Sequence, residues 1–200
     1  MIDARSRDGV LTLTINRPEK ANALTEAMLS KMADCIEETS AQVLVLTGVG
    51  GVYSAGADLD DVPHGLAASD QWERLSGVVA NFQGLSVAAL NGTAAGGALG
   101  MVLACDLRVA VATAKFFYPV IKIGVLPQPS DPVRLTALVG PSMAKRILMT
   151  GAKISAQDAL ACGLIDVISE NDLEKDVADL IASALVAPRD QLVAIKSMIG

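Results

Sequence analysis

The feature that most constrains the fold is an uncharged stretch near the middle of the chain. No charged side chain occurs in residues 86–104, a length close to that of a transmembrane helix of about twenty residues. Two dipeptides, Asn91-Gly92 and Gly96-Gly97, interrupt the stretch and disfavour one continuous helix. The pattern instead predicts a buried strand over 86–90, a glycine-rich turn, a helix over 96–104 and a second strand over 107–112.

The glycine-rich turn before this helix leaves backbone N–H groups without acceptors. Such groups carry a partial positive charge and can hold a phosphate or a developing oxyanion without any side chain. A second glycine-rich loop, YSAGADL (53–59), follows a buried strand predicted over 42–47. Ligands collect at the carboxyl ends of strands in α/β sheets, so the two loops can converge into an oxyanion hole. The alternative is that the glycines only permit close packing.

Composition excludes several classes of function. The net charge of −6 and the lack of a basic cluster disfavour nucleic acid as a partner. Three widely spaced cysteines indicate free thiols in a reducing cytoplasm, and a single histidine without a CxxC motif predicts no metal site. The opening residues, MIDARSRDG, lack the apolar segment of a signal peptide, and no membrane association is expected.

Strands alternate with helices along the chain, which predicts one α/β domain. We place the core domain at 1–188 and a short tail at 189–200. The remaining patterns predict a strand over 9–15, a helix beginning at Thr25, a helix after Asp70 with Glu73 completing a capping box, an extended segment over 115–123, and a helix with Asp131 as N-cap and Pro132 at its first position.

Four segments resemble one known family, in the same order along the chain. They are NRPEKANAL (16–24), VLTGVGGVYSAGADLDD (45–61), VAALNGTAAGGALGMVLACDLRVA (87–110) and MTGAKISAQDALACGLIDVI (149–168). On these motifs the chain resembles the crotonase, or enoyl-CoA hydratase/isomerase, superfamily. The resemblance implies the ClpP/crotonase-like α/β fold of repeated ββα units, here shortened at the C-terminus, and a homotrimer.

The resemblance also implies acyl thioester substrates, carried on coenzyme A or on the phosphopantetheine of an acyl carrier protein, with no other cofactor. By motif position, the backbone N–H groups of Ala55 and Gly97 form the oxyanion hole, in agreement with the interpretation of the two loops. Contacts with substrate and coenzyme A fall within the first two motifs, on Arg17, Lys20, Ala21, Ala23, Leu24, Ala57, Asp58 and Leu59, with a structural role also expected for Asp58.

Two positions depart from the family pattern. Hydratases carry two glutamates as general acid and base, and this chain has Gly100 and Val120 in their places. Neither side chain can transfer a proton, so water addition by the usual pair of carboxylates is disfavoured. The family's oxyanion hole is expected to remain, whereas its acid–base pair is absent.

Decarboxylation of a malonyl- or glutaconyl-type thioester requires only the oxyanion hole, because the loss of CO₂ itself generates the enolate. Crotonase-like decarboxylases of polyketide β-branching also lack both glutamates, and their short tails are similar to PRDQLVAIKSMIG (188–200). Two alternatives stay open. One is a hydratase or isomerase with different acid–base residues, and the other is a non-catalytic thioester-binding subunit.

Four polar residues are candidates for replacing the missing glutamates. His64 lies just past the first glycine loop and can act as an acid near neutral pH, although an exposed loop histidine is the favoured interpretation. Tyr118 can donate a proton or simply pack in the core. Gln128 does not titrate but can orient water. Asp131 is expected mainly to cap its helix, with a catalytic role as the less favoured interpretation.

Overall fold

Two sheets flanked by helices make up the fold in the computed structural model, which describes residues 1–199. The strands are β1 (Ile2–Arg7), β2 (Val10–Ile15), β3 (Val43–Gly48), β4 (Val52–Ser54), β5 (Leu85–Leu90), β6 (Thr93–Ala95), β7 (Leu107–Val111), β8 (Lys115–Phe117), β9 (Ile154–Ser155) and β10 (Val167–Ser169). The helices are α1 (Glu26–Glu38), α2 (Gln71–Ala80), α3 (Ala98–Ala104), α4 (Val120–Ile123), α5 (Asp131–Thr150), α6 (Ala156–Ala161), α7 (Leu173–Val186) and α8 (Arg189–Ile199).

The larger sheet has the order β1-β2-β3-β5-β7-β10, and the smaller has the order β4-β6-β8-β9. In the larger sheet all neighbours pair in parallel except β1 and β2, which form an antiparallel hairpin. Three successive units, β3-β4-α2, β5-β6-α3 and β7-β8-α4, each give one strand to each sheet. The repeated ββα architecture expected from the sequence is therefore confirmed.

Strand β3 shows why the larger sheet is buried on both faces. Val43 and Val45 point toward α7 and pack in one apolar cluster with Val177, whereas Leu44 and Leu46 point into the main core. Helices thus cover both faces, which is typical of parallel sheets. The nearly continuous apolar sequence of this strand is the direct result.

The uncharged stretch of residues 86–104 forms β5 and α3, followed by β7, as predicted, but the predicted turn between them also contains the short strand β6. Every residue of α3 is buried, which explains why its sequence lacks an exposed polar face. Strand β6 pairs in parallel with β4, with Val52 opposite Thr93 and Ser54 opposite Ala94. This pairing places the loops that follow β4 and β6 beside each other.

Some predicted elements differ from the structure. The segment predicted to be extended over 115–123 is a strand only through Phe117, after which the short helix α4 begins at Val120. Strand β1 escaped prediction because its sequence, IDARSR, has no apolar alternation; its backbone pairs with β2 along one edge of the sheet. The tail forms helix α8, which Lys196 attaches to Asp106 at 2.9 Å.

The start of α5 also differs from prediction. Asp131 is the first helical residue and Ser130 is the N-cap, so the predicted capping role of Asp131 is wrong. Glu73 makes no capping box for α2; its carboxylate instead accepts hydrogen bonds from the Ser130 N–H at 3.1 Å and the Ser130 hydroxyl at 2.7 Å. Within residues 1–199 no side chain caps α5; the Glu73 carboxylate on α2 instead holds Ser130, the residue just before the helix.

Two other helix starts agree with the sequence. The Thr25 side chain caps α1 by accepting the Met28 N–H. Within α5, Gly140 is non-helical directly before Pro141, and a new helical segment begins there. Within residues 1–199 no helix is both long enough and apolar enough to cross a membrane.

Candidate active site

The two glycine-rich loops contact each other through their backbones. A Cβ atom on Gly56 would lie 2.7 Å from the Ala95 carbonyl oxygen and 3.3 Å from the Gly96 Cα. Gly56 also has a φ of +94°, in the left-handed region that favours glycine. Only glycine at this position allows the loop after β4 to approach the loop after β6 so closely.

The hydrogen bonds of the first loop identify its free donor. The Ala55 N–H donates to the Ala21 carbonyl at 3.0 Å, and the Asp58 N–H donates to the Leu24 carbonyl at 2.9 Å. The Ala57 N–H, which lies between them, has no acceptor within residues 1–199. The prediction of Ala55 as an oxyanion donor is therefore wrong, because its N–H is already used; Ala57 is the available donor.

In the second loop, the N–H of Gly97, the residue predicted as a donor, is not used by the fold within residues 1–199. The Gly96 N–H donates to the Phe117 carbonyl at 3.0 Å, whereas the Gly97 N–H has no acceptor in the described part of the chain. Gly97 also packs under the Trp72 ring, where a Cβ would lie 3.1 Å from the nearest ring atom. Two unpaired N–H groups on touching, half-buried loops form a potential oxyanion-binding site.

A carboxylate occupies the space where a side chain at position 100 would begin. A Cβ on Gly100 would lie 2.9 Å from Oδ1 and 3.2 Å from Oδ2 of Asp131. Asp131 is fully buried, and its Oδ2 accepts a hydrogen bond from the Tyr118 hydroxyl at 2.7 Å. Oδ1 has no hydrogen-bond partner among the described residues.

The surroundings of Asp131 change its protonation. Burial raises the pKa of Asp131 to about 6, because the charged form loses its water; the Tyr118 hydrogen bond and Arg134 oppose the shift, and Glu73 adds to it. Burial and the Asp131 carboxylate together raise the pKa of Tyr118, so its hydroxyl keeps its proton at neutral pH. The pair is therefore a neutral phenol that donates to a carboxyl group able to titrate near physiological pH.

Gln128 and His64 take different positions. The Gln128 side chain donates to the Ala67 carbonyl at 3.0 Å and so connects the segment before α5 to residues 66–68. His64 is exposed at the end of a short 3₁₀ turn, and its ring makes no hydrogen bond within residues 1–199. The structure thus supports the interpretation of His64 as an exposed loop residue.

The residues expected to contact coenzyme A line one edge of the first loop. Arg17 forms an ion pair with Asp58 and also donates to the Ala23 carbonyl at 3.3 Å. The hydrogen bond from Arg17 lowers the pKa of Asp58. Lys20 pairs with Asp60 at 3.0 Å, and both side chains stay largely in solvent.

The other predicted contacts differ in exposure. Ala23 and Leu24 are buried, Ala57 is half-buried, and Ala21 and Leu59 are exposed. The buried Asp58 has a clear structural role, because it holds Arg17 across the loop. Lys20, Ala21 and Leu59 are the exposed side chains of this edge, and the Lys20 ammonium is paired with Asp60.

The close contact between Gly100 and Asp131 was not predicted from the sequence. The two residues are distant in sequence, and the pattern Asp131-Pro132 favours a helix cap, so nothing local signals the contact. The combination of a glycine in a buried helix and an aspartate that the fold does not use as a cap is visible only in three dimensions.

Comparison with known proteins agrees with the fold. A family model described as enoyl-CoA hydratase/isomerase matches residues 5–199. The 2,3-dehydroadipyl-CoA hydratase of Escherichia coli (strain K12) is 35% identical over 187 residues, covering 88% of this chain and 72% of that protein. The 4-chlorobenzoyl coenzyme A dehalogenase-2 of an Arthrobacter species is 33% identical over 201 residues, covering 94% of this chain and 73% of that protein.

Solved structures give the same result. An enoyl-CoA hydratase from Bacillus anthracis superposes with a TM-score of 0.90 at 27% identity, covering 99% of this chain and 81% of that one. A Geobacillus kaustophilus HTA426 structure described as enoyl-CoA hydratase subunit I gives a TM-score of 0.89 at 32% identity, with coverage of 99% and 80%. The chain therefore belongs to the enoyl-CoA hydratase/isomerase family of the crotonase superfamily.

Proposed function

We propose that this protein is an acyl-thioester enzyme whose reaction passes through an enolate. The observation that carries the proposal is the pair of unpaired backbone donors, Ala57 and Gly97, on two loops in backbone contact. An enolate places its negative charge on the thioester oxygen, and two preorganised N–H groups stabilise that charge as it develops. Removing one such donor typically costs about 10²–10³ in rate.

Decarboxylation of a malonyl- or glutaconyl-type thioester is the reaction we favour. Gly100 and Val120 supply no carboxylate from the family's two usual positions. In decarboxylation the bond to the carboxylate carbon breaks, CO₂ leaves with the carboxylate oxygens, and the bonding electrons become the enolate. One proton then adds to carbon. No base is needed to form the enolate, which suits a site without the usual acid–base pair.

A hydratase or isomerase is the second candidate. The observation that favours it is the Asp131 carboxyl group in the space beside Gly100, since a single carboxyl group can remove and return a proton. Relatives whose names describe hydratases, such as the 2,3-dehydroadipyl-CoA hydratase, are consistent with this candidate. The two candidates share the enolate and differ in how it is formed.

A panel of substrates tests the proposal. Purified protein is incubated with malonyl-, methylmalonyl-, glutaconyl- and crotonyl-thioesters, each on coenzyme A and on an acyl carrier protein, and products are identified by mass. We expect loss of 44 mass units from at least one diacid thioester. Gain of 18 mass units from the crotonyl ester would instead select the hydratase. Tight binding without any product would overturn the enzymatic proposal and leave a non-catalytic thioester-binding subunit.

The carrier, the assembly and the compartment belong to the same proposal. We propose coenzyme A or an acyl carrier protein as the substrate carrier, with no other cofactor. The family resemblance implies a homotrimer, and exposed apolar side chains of α8, such as Met198 and Ile199, offer a surface that another subunit can cover. A cytoplasmic location is supported by the three free cysteines. Light scattering of the purified protein tests the trimer directly.

A further inference from the structure

Building on the proposed enolate chemistry, we propose that Asp131 is a catalytic residue that moves the proton at the substrate α-carbon. Its carboxyl group enters the site from the first turn of α5 and takes the place of a side chain at position 100. The function that other members of the family assign to α3 is, in this chain, supplied by a different helix.

The first argument is that a side chain at position 100 and the Asp131 carboxylate cannot occupy the same space. The Asp131 Oδ1 lies 2.9 Å from the position of a Cβ on Gly100, closer than real Cβ atoms approach other heavy atoms. Any side chain at position 100 would therefore displace the carboxylate. The absence of a side chain on α3 and the presence of a carboxylate from α5 are two parts of one arrangement.

The second argument is that Oδ1 is buried and unpartnered. Asp131 is fully buried, and only Oδ2 accepts a hydrogen bond within residues 1–199. Buried carboxylate oxygens are normally paired, because an unpaired one loses its hydration without compensation. The unpaired Oδ1 of Asp131 therefore lowers the stability of the fold. A proton transfer to bound substrate, however, requires an oxygen that is free in this way.

The third argument is that Asp131 does not serve as the cap of its own helix. Its carboxylate accepts no backbone N–H at the start of α5, where Ser130 is the N-cap and Glu73 accepts the Ser130 N–H. Tyr118 instead holds Oδ2 and leaves Oδ1 available. Tyr118 is therefore a positioning residue: it fixes the carboxyl group while its own proton stays in place.

The charged groups around Asp131 are Glu73 on α2 and Arg134 on α5. Arg134 donates to the Ser130 hydroxyl at 2.9 Å, and Ser130 in turn donates to Glu73. Glu73 favours the protonated form of Asp131 and Arg134 favours the ionised form, so they oppose each other. Burial remains the main cause of the raised pKa, and the group is able to give or accept a proton near neutral pH.

The proton transfer balances without a further reactant. After decarboxylation, the Asp131 O–H bond breaks, the enolate electrons form the new C–H bond at the α-carbon, and Asp131 is left as a carboxylate. Solvent returns the proton once product leaves. In the isomerase alternative the carboxylate first takes a proton from carbon, which forms the enolate, and then returns it to another carbon.

Hydrogen–deuterium exchange at the α-carbon tests this step without knowledge of the full reaction. Butyryl-CoA is incubated with the protein in D₂O, and loss of the α-proton signal is followed by NMR. We expect exchange with the wild-type protein and a loss of about 10²-fold or more with Asp131→Asn, since general acid–base catalysis contributes about 10²–10⁴. Asp172→Asn, a matched change at the start of α7, should leave exchange unchanged.

Two controls keep the test informative. Circular dichroism and butyryl-CoA titration show whether Asp131→Asn still folds and binds. With Tyr118→Phe we expect a several-fold fall in the maximal exchange rate and a shifted pH profile at unchanged butyryl-CoA affinity, which a merely structural role would not produce. A pH profile that does not move would remove Tyr118 from the positioning role.

The outcomes separate the two proposals. Exchange or turnover within threefold of wild type in a folded Asp131→Asn protein would overturn the role of Asp131 and leave the proposed function intact. A wild-type protein that binds thioesters but neither converts nor exchanges any of them would overturn the proposed function, and the role of Asp131 with it.

Discussion

The two halves of the candidate site are built in opposite ways. The anion-binding half uses only backbone, the N–H groups of Ala57 and Gly97, and depends on glycines that let two loops touch. The proton-transfer half uses side chains, and here Gly100 replaces the expected carboxylate while Asp131 enters from another helix. Backbone donors are fixed by the fold itself, whereas a carboxyl group can reach the same space from any neighbouring element.

The largest expected effect comes from disrupting the anion-binding half with Gly56→Ala. The new Cβ would lie 2.7 Å from the Ala95 carbonyl at a φ of +94°, so the two loops must separate. We expect turnover of whichever thioester is the substrate to fall by about 10³, in line with the loss of an oxyanion donor. Steady-state kinetics measure this.

Gly9→Ala is the matched control for the change at Gly56. Gly9 also has a positive φ, +80°, but its nearest contact is Leu185 at an ordinary 3.6 Å. It therefore carries the backbone strain without disturbing the loops. Equal losses of activity in both variants would show that strain, and not the loop contact, controls the rate.

The substitution Gly100→Ala tests the proton-transfer half. The added methyl group would lie 2.9 Å from the Asp131 Oδ1 and must move the carboxylate. We expect turnover to fall by about tenfold to a hundredfold with thioester affinity retained, since a displaced carboxyl group loses part of the general acid–base contribution. Gly77→Ala in α2 meets no atom within 4 Å and should leave activity unchanged.

Stability should respond to Asp131 in the opposite sense to activity. Its pKa is raised from an ordinary 3.8 to about 6 in the folded protein, so the folded state binds the extra proton. The free energy of unfolding should therefore fall as pH rises from about 4 to 6 and then level off. Asp131→Asn should be more stable than wild type by about 1–3 kcal/mol at pH 7.5, and the difference should vanish near pH 4.

Urea unfolding of both proteins at the two pH values measures this difference. A variant that is less stable than wild type at pH 7.5 would show that the carboxylate stabilises the fold. Such a result would contradict the interpretation of Asp131 as a residue kept for chemistry.

The smallest effects are expected at Gln128 and His64. Gln128→Ala removes the hydrogen bond to the Ala67 carbonyl, which is worth about 1 kcal/mol, so we expect KM to change about fivefold with kcat retained. His64→Ala should change neither constant by more than about twofold, because the ring is exposed and unbonded. A large loss of kcat in His64→Ala would instead indicate that His64 takes part in proton transfer.

The residues of the anion-binding half could be predicted from the sequence more closely than those of the proton-transfer half. Gly97 is identified from its motif and from the glycine turn alone. The error of two residues at Ala55 arises because its acceptor, the Ala21 carbonyl, comes from a distant segment. Which N–H of a loop is used cannot be inferred from the local sequence, because a segment distant in sequence supplies the acceptor.

Long-range contacts also explain the other differences. Local sequence correctly places α1 from its one apolar face, and β3 and α3 from their continuous apolar runs bounded by turn residues. It fails at β1, where pairing with β2 outweighs a polar sequence. It fails again at Asp131, whose carboxylate accepts a hydrogen bond from Tyr118 and does not cap α5. In each case a partner distant in sequence determines the outcome.

The pairing of β4 with β6 has a geometric consequence. Ala57 and Gly97 occupy corresponding places in consecutive ββα units, each a few residues past one of these two neighbouring strands. Adjacent strands lie about 4.8 Å apart. Two nitrogens that each donate to one oxygen from about 2.9 Å, at a roughly tetrahedral angle, are separated by about the same distance. A strand spacing of this size is compatible with both N–H groups reaching one oxygen atom, and the repeated ββα unit supplies both loops.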